Sequence, residues 1–107
     1  MSEYTISYGE KKKMTISTDF IESVTEIRRI AIQVGGLYLD ASPKRRKVLL
    51  SVYKGPDDSR EYMIGSIVLC SEGAPRWYPY VNGIAVGVSY PLYGNGTLGP
   101  KNSRKSR

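Results

Sequence analysis

The sequence predicts a mainly β protein: a small antiparallel β-barrel or β-sandwich of four successive hairpins with one short helix at about residues 20–28, with α+β as the alternative. Three observations lead there. Apolar and polar residues alternate in short segments separated by turn signals. The dipeptides Gly35-Gly36 and Asn82-Gly83 stand where two-residue hairpin turns are expected. The 107 residues, 40% hydrophobic, suit one domain with one core, expected over residues 1–93.

In the first hairpin Tyr4, Ile6 and Tyr8 share a face with Met14 and Ile16 around a turn at 9–13, with Thr5, Ser7, Thr15 and Ser17 outward. The helix rests on Asp19 and Glu22 as a capping box and on Phe20, Val24, Ile27 and Ala31 at helical spacing. The β-branched Val24 and Thr25 also permit a strand there. In the second hairpin a type I′ turn at Gly35-Gly36 aligns Ile30, Ile32 and Val34 with Leu37 and Leu39. In the third, pairing Val52 with Met63 around the 55–59 turn places Val48, Leu50, Val52, Met63, Ile67 and Leu69 in the core. In the fourth, around Asn82-Gly83, the expected core face is Trp77, Pro79, Val81, Ile84, Val86 and Val88. Its other face carries Arg76, Tyr78, Tyr80, Ala85, Gly87 and Ser89, and Pro79 marks an edge or a bulge.

Composition narrows the function. The absence of histidine and the lone Cys70 remove zinc sites, His-based acid/base pairs, Ser-His-Asp triads and any internal disulfide. No carboxylate pair marks a catalytic site, so the expectation is a protein with no catalytic residues, metal or cofactor. Asp57-Asp58 reads as turn chemistry and Cys70 as a small core residue. The lack of an apolar membrane-length run gives an expected cytoplasmic or other intracellular location, with no membrane partner.

Sixteen basic residues against ten acidic give a net charge of +6. Eleven of the sixteen lie in three runs: Lys11, Lys12 and Lys13; Lys44, Arg45, Arg46 and Lys47; and Lys101, Arg104, Lys105 and Arg107. Charge focused in this way suits contact with phosphates, although a solvated loop, a hairpin tip or a solubility tail carries similar runs. The last run sits in residues 94–107, whose Gly, Pro, Asn and Ser content predicts a flexible basic tail. Arg28 and Arg29 fall at the expected helix end, where cations complement the dipole.

Among the nine tyrosines, Tyr38, Tyr53, Tyr62, Tyr78 and Tyr80 fall on faces shared with polar or small residues. Tyr53 opposite Tyr62, and Tyr78 beside Tyr80, form two expected base-stacking platforms, joined by Arg76. The alternative role of such rings is to cover small residues across the strands. The plan of a small basic β domain with sheet tyrosines resembles oligonucleotide-binding barrels, cold-shock domains and the transcriptional-coactivator type of single-strand binder in architecture, without their sequence motifs. The expected partner is therefore single-stranded DNA or RNA. A structural or protein-interaction module, such as a viral coat or accessory protein with tyrosine faces at subunit interfaces in a homodimer or higher oligomer, is the alternative.

Overall fold

A computed structural model describes residues 2–8, 12–18, 24–44, 46–56 and 58–100. The chain forms β1 (Ser2–Tyr8), β2 (Lys12–Thr18), α1 (Val24–Asp40), β3 (Lys47–Lys54), a one-turn 3-10 helix (Arg60–Tyr62), β4 (Met63–Cys70), β5 (Arg76–Val81), β6 (Ile84–Ala85) and β7 (Tyr90–Pro91). The strands make one antiparallel sheet in the order β2-β1-β3-β4-β5-β6, with β7 also on β5. The mainly antiparallel β class expected from the sequence holds. The sheet is not closed into a barrel, and α1 packs on one face, against β1, β3 and β4.

The expected second hairpin does not form. Residues 30–39 belong to α1, which continues through Gly35-Gly36 and far beyond the expected end near Arg28. The expected start, residues 20–23, lies outside the described residues. Ile27, Ala31, Gly35 and Leu39 are buried at four-residue spacing, which is one stripe of a helix. Two glycines cost a helix about 1 kcal/mol each relative to alanine. Close approach to the sheet offsets this cost at Gly35, where a Cβ would come within 2.7 Å of Leu69 Cδ2 and 2.9 Å of Leu50 Cδ1. Ala41 N–H and Ser42 N–H, bonded to the carbonyls of Leu37 and Leu39, finish the helix just before Pro43.

Beneath the helix lie Tyr4, Ile6, Val48, Leu50, Val52, Ile67, Leu69 and Trp77. Each fully buried aliphatic side chain here contributes roughly 1.5–3 kcal/mol. The first hairpin keeps the expected faces, but β2 begins at Lys12, inside the turn expected at 9–13, so Tyr8 pairs with Lys12, Ile6 with Met14 and Tyr4 with Ile16. Thr5 is not outward in the sense of exposed: it is fully buried, and its hydroxyl donates to the Gly55 carbonyl at 2.9 Å.

The third hairpin is offset by two residues from the expected pairing, so Val52 faces Gly65 and Leu50 faces Ile67. An even offset keeps each side chain on its face. A bulge after Val52 then sets Tyr53 opposite Met63. Met63 is buried but outside the main cluster, and Ile64 packs against that cluster instead.

The fourth hairpin has its type I′ turn, with φ of 52° at Asn82 and 79° at Gly83. Its ladder is short, however, because β6 ends at Ala85 and the chain returns to β5 only at Tyr90. Of the expected core face Trp77 is buried, whereas Val81, Ile84 and Val86 are 61%, 71% and 50% exposed. Among the described residues α1 packs on β1, β3 and β4 and does not cover these side chains, and Arg60 of the 3-10 turn reaches only the hairpin turn, through the Gly83 carbonyl.

Residues 94–100, expected as the start of the flexible tail, are folded against α1 instead. Leu92 bridges to Leu98, and Tyr93 N–H donates to the Thr97 carbonyl at 2.9 Å. Gly96 has φ of 92° and lies so close to Thr25 that a side chain would strike that residue's carbonyl. The Gly96 carbonyl accepts from Arg28 Nε at 2.8 Å. Arg28 therefore sits in the first half of α1 and is no C-terminal cation. Its guanidinium lies 5.0 Å from the Trp77 ring centroid, and burial pushes its pKa down from the usual arginine value. Arg29 is likewise far from the helix end and pairs with Glu26 through two hydrogen bonds of 2.6 and 3.1 Å. The basic residues of 101–107 lie outside the described residues.

The two adjacent glycines of α1 should respond in opposite directions to alanine. Gly36→Ala, which meets nothing within 4 Å, should stabilise by roughly 0.5–1 kcal/mol in urea denaturation. Gly35→Ala should destabilise by about 1–3 kcal/mol through overpacking. A hairpin turn there would make both substitutions destabilising.

Candidate functional site

Alternation along the strands that bury Ile6, Leu50, Val52, Ile67 and Trp77 sends their neighbours to the face away from α1. One row on that face crosses five strands: Lys13 opposite Ser7, Ser7 opposite Ser51, Ser51 opposite Ser66, and Ser66 opposite Tyr78. At strand spacing it spans about 19 Å. Three successive serines keep the middle of the face low, and Tyr78 stands at one end.

Tyr78 and Tyr80, two residues apart on β5, occupy one side of the face as expected. Together with Ser66, Val68, Pro79, Ala85, Gly87, Val88 and Ser89 they line a cleft of about 490 Å³. Its overhang is the segment 85–89, where Val86 N–H donates to the Pro79 carbonyl at 3.1 Å and Gly87 has φ of 95°. Arg76, opposite Val68 in register, holds that overhang through Nη2 and Nε, at 2.8 and 3.2 Å from Ser89 Oγ. Ser89 is neutral, so this contact leaves the guanidinium charge in place beside the cleft.

The other expected platform is not assembled. Tyr53 is half-buried opposite Met63, whereas Tyr62 belongs to the 3-10 turn, with its ring near Gly55. Tyr38 is not a sheet residue at all. It lies on α1, with its ring 5.7 Å from that of Tyr8 in an edge-to-face contact.

The topology brings Lys47 and Arg76 to one end of the same face. Tyr8 pairs with both Lys12 and Leu50, so the start of β2 lies at the level of the first half of β3. Lys47 pairs with Cys70, one same-face step from the row of Leu49, Val68 and Arg76. Lys47 and Arg76 are thus about 7 Å apart along the strands and about 10 Å apart across them. Lys44 and Arg46 are exposed just before Lys47, at the carboxyl end of α1, where free carbonyls also favour cations. Gly99 N–H bonds to the Pro91 carbonyl at 2.8 Å, and Pro91 faces Arg76, so Gly99 also lies near this end.

Not every expected phosphate contact is equally open. Lys13 Nζ lies 3.7 Å from Asp58 Oδ1, an exposed pair that partly offsets its charge. The side chain of Lys12 is not described, and Lys11, Arg45, Lys101, Arg104, Lys105 and Arg107 lie outside the described residues. The sequence reading missed the Ser66 floor, the Arg76–Ser89 clasp and the shared face of Lys47 and Arg76. The fourth-hairpin pattern had already put Arg76, Ala85, Gly87 and Ser89 on one face with the two tyrosines, which was the available signal. Among the described residues no helix is long and apolar enough to cross a membrane.

With this geometry in hand, comparison with known proteins gives no relationship: no family model, curated protein or solved structure matches the chain.

Tyrosine nitration should distinguish the rings by exposure. Tyr62, Tyr78 and Tyr93, exposed to 46%, 37% and 52%, should react before the buried Tyr4, as read by peptide mass analysis. Early labelling of Tyr4 instead would contradict the packing of β1.

Proposed function

We propose that this protein binds nucleic acid without catalysing a reaction and prefers single strands. Basic loop and tail residues contact phosphates, and tyrosines on the uncovered sheet face stack on bases. The observation that carries this reading is that Lys47 and Arg76 share, at one end, the face that bears Tyr78 and Tyr80, with the exposed Lys44 and Arg46 just before Lys47 in the chain. Cations there follow a phosphate backbone, and each stacked ring adds about 1–3 kcal/mol with little sequence preference. A duplex offers phosphates but keeps its base faces stacked, so only unpaired bases engage the tyrosines. Arg45, Lys12, Lys101, Arg104, Lys105 and Arg107 extend the phosphate track in this reading, and an intracellular location belongs with it.

A second reading is self-association, favoured by the exposed Val81, Ile84 and Val86 at the opposite end of the sheet. A contiguous apolar tip of this kind suits burial in an interface between subunits. The two readings are compatible, because the tip lies away from the basic end.

Anisotropy titrations of a labelled single-stranded oligonucleotide across a salt series test the first reading. Binding should weaken as salt rises, and replacing Lys44, Arg46 and Lys47 together by alanine should lower the slope of log affinity against log salt by about two. Affinity no better than about millimolar at low salt, or indifference to salt, would sink it. For the second reading, sedimentation should give a dimer or larger species that Ile84→Lys reduces to a monomer. A wild-type monomer at all concentrations removes it.

A further inference from the structure

We propose that the cleft between β5 and the 85–89 overhang is a pocket for one unpaired nucleobase, whose flanking phosphate is met by Arg76. This rests on the nucleic-acid reading above and assigns one nucleotide of the bound strand to one place on the protein.

The cleft has the make-up of a small-ligand site. At about 490 Å³ it falls within the roughly 300–1,000 Å³ usual for such sites. Its lining is mixed in the way a base requires. Tyr78 and Tyr80 supply aromatic surface, Val68 and Val88 supply apolar edges, and the hydroxyls of Ser66 and Ser89 supply hydrogen-bonding groups. Ser66 is nearly fully buried, so its hydroxyl sits at the floor and not at the rim.

The arrangement favours an unpaired base for a steric reason. In a duplex the hydrogen-bonding edge of each base is covered by its partner, and the base faces are covered by the stack. An overhung cleft beside a β-sheet admits a base only when both are free. Arg76 completes the site. Its contact with Ser89 fixes the guanidinium beside the opening while retaining its charge, and a guanidinium is suited to bidentate phosphate contact. Lys47 lies on the same face, about 7 Å along the strands and about 10 Å across them from Arg76, and supplies a second cation for the bound strand.

The test separates this pocket from general phosphate binding. Adenosine and uridine monophosphates, ribose 5-phosphate and inorganic phosphate are titrated separately into the full chain and followed by NMR. The monophosphates should shift the resonances of Ser66, Tyr78, Tyr80 and Val88, and the two base-free probes should not. Val88→Trp, which fills the cleft, and Tyr78→Leu, which removes a ring, should each abolish those shifts. Each should also weaken binding of a single-stranded oligonucleotide by about tenfold at constant salt while leaving the salt slope unchanged.

Equal shifts from ribose 5-phosphate, or no shifts from any monophosphate, overturn the pocket. Wild-type oligonucleotide affinity in folded Val88→Trp and Tyr78→Leu, checked by circular dichroism, overturns it too, while leaving phosphate-driven binding of the strand intact. If the wild-type chain binds no oligonucleotide at all, the broader reading fails. The mononucleotide titration then decides the pocket by itself.

Discussion

The helix lies this close to the sheet because Gly35 has no side chain. At that point Leu50 and Leu69 rise from the sheet to within about 3 Å of where a Cβ would stand, and Ala31 one turn earlier is the next smallest option. The resulting approach lets one helix close over Ile6, Leu50, Val52 and Ile67, which are fully buried. A core with a single covering layer is sensitive to such a contact, because no other described element can replace the helix over the centre of the sheet. The glycine is a poor helix former placed where packing outweighs propensity.

Arg28 secures the other end of the same helix. A guanidinium at this depth loses much of its hydration, and the protein restores part of that loss through the Gly96 carbonyl, the Thr25 hydroxyl and the Trp77 ring. These partners come from α1, β5 and the closing turn near the C-terminus, so one side chain joins three segments far apart in the chain. Trp77 is fixed in turn by Gly65 on the neighbouring strand, where any side chain would collide with the indole. The turn at 92–99 is consequently part of the folded body.

The placement of one helix on one face determines what remains open. The uncovered face keeps its serine row and its tyrosines, and the β5–β6 hairpin projects beyond the helix with apolar residues in water. The return from α1 to β3 brings Lys44 and Arg46 to the carboxyl end of the helix and Lys47 to the edge of that open face. The proposed interface and the proposed apolar contact therefore occupy opposite ends of the sheet. Both arise from incomplete coverage of the sheet.

Much of the sheet was legible in the sequence because strand faces follow a period of two. The strand faces of the first hairpin, the core residues of β3 and the Asn82-Gly83 turn depend on local alternation and turn chemistry, and they held even though the first and third hairpins are offset by two residues. The pairing of Tyr78 with Tyr80 on one face followed from the same rule. Gly35-Gly36 was misread because its turn chemistry is local, whereas the contact that makes it helical involves residues 15 and 34 positions away. The core places of Val81, Ile84 and Val86 failed for a related reason: alternation assigns a face and says nothing about whether a second layer covers it. By itself the sequence determined a mainly β chain, its principal strand faces and the three basic runs. Only the tertiary structure decided which face α1 covers, that Lys47 and Arg76 share the other face and that a cleft opens beside Tyr78 and Tyr80, because these depend on long-range packing that no local pattern encodes.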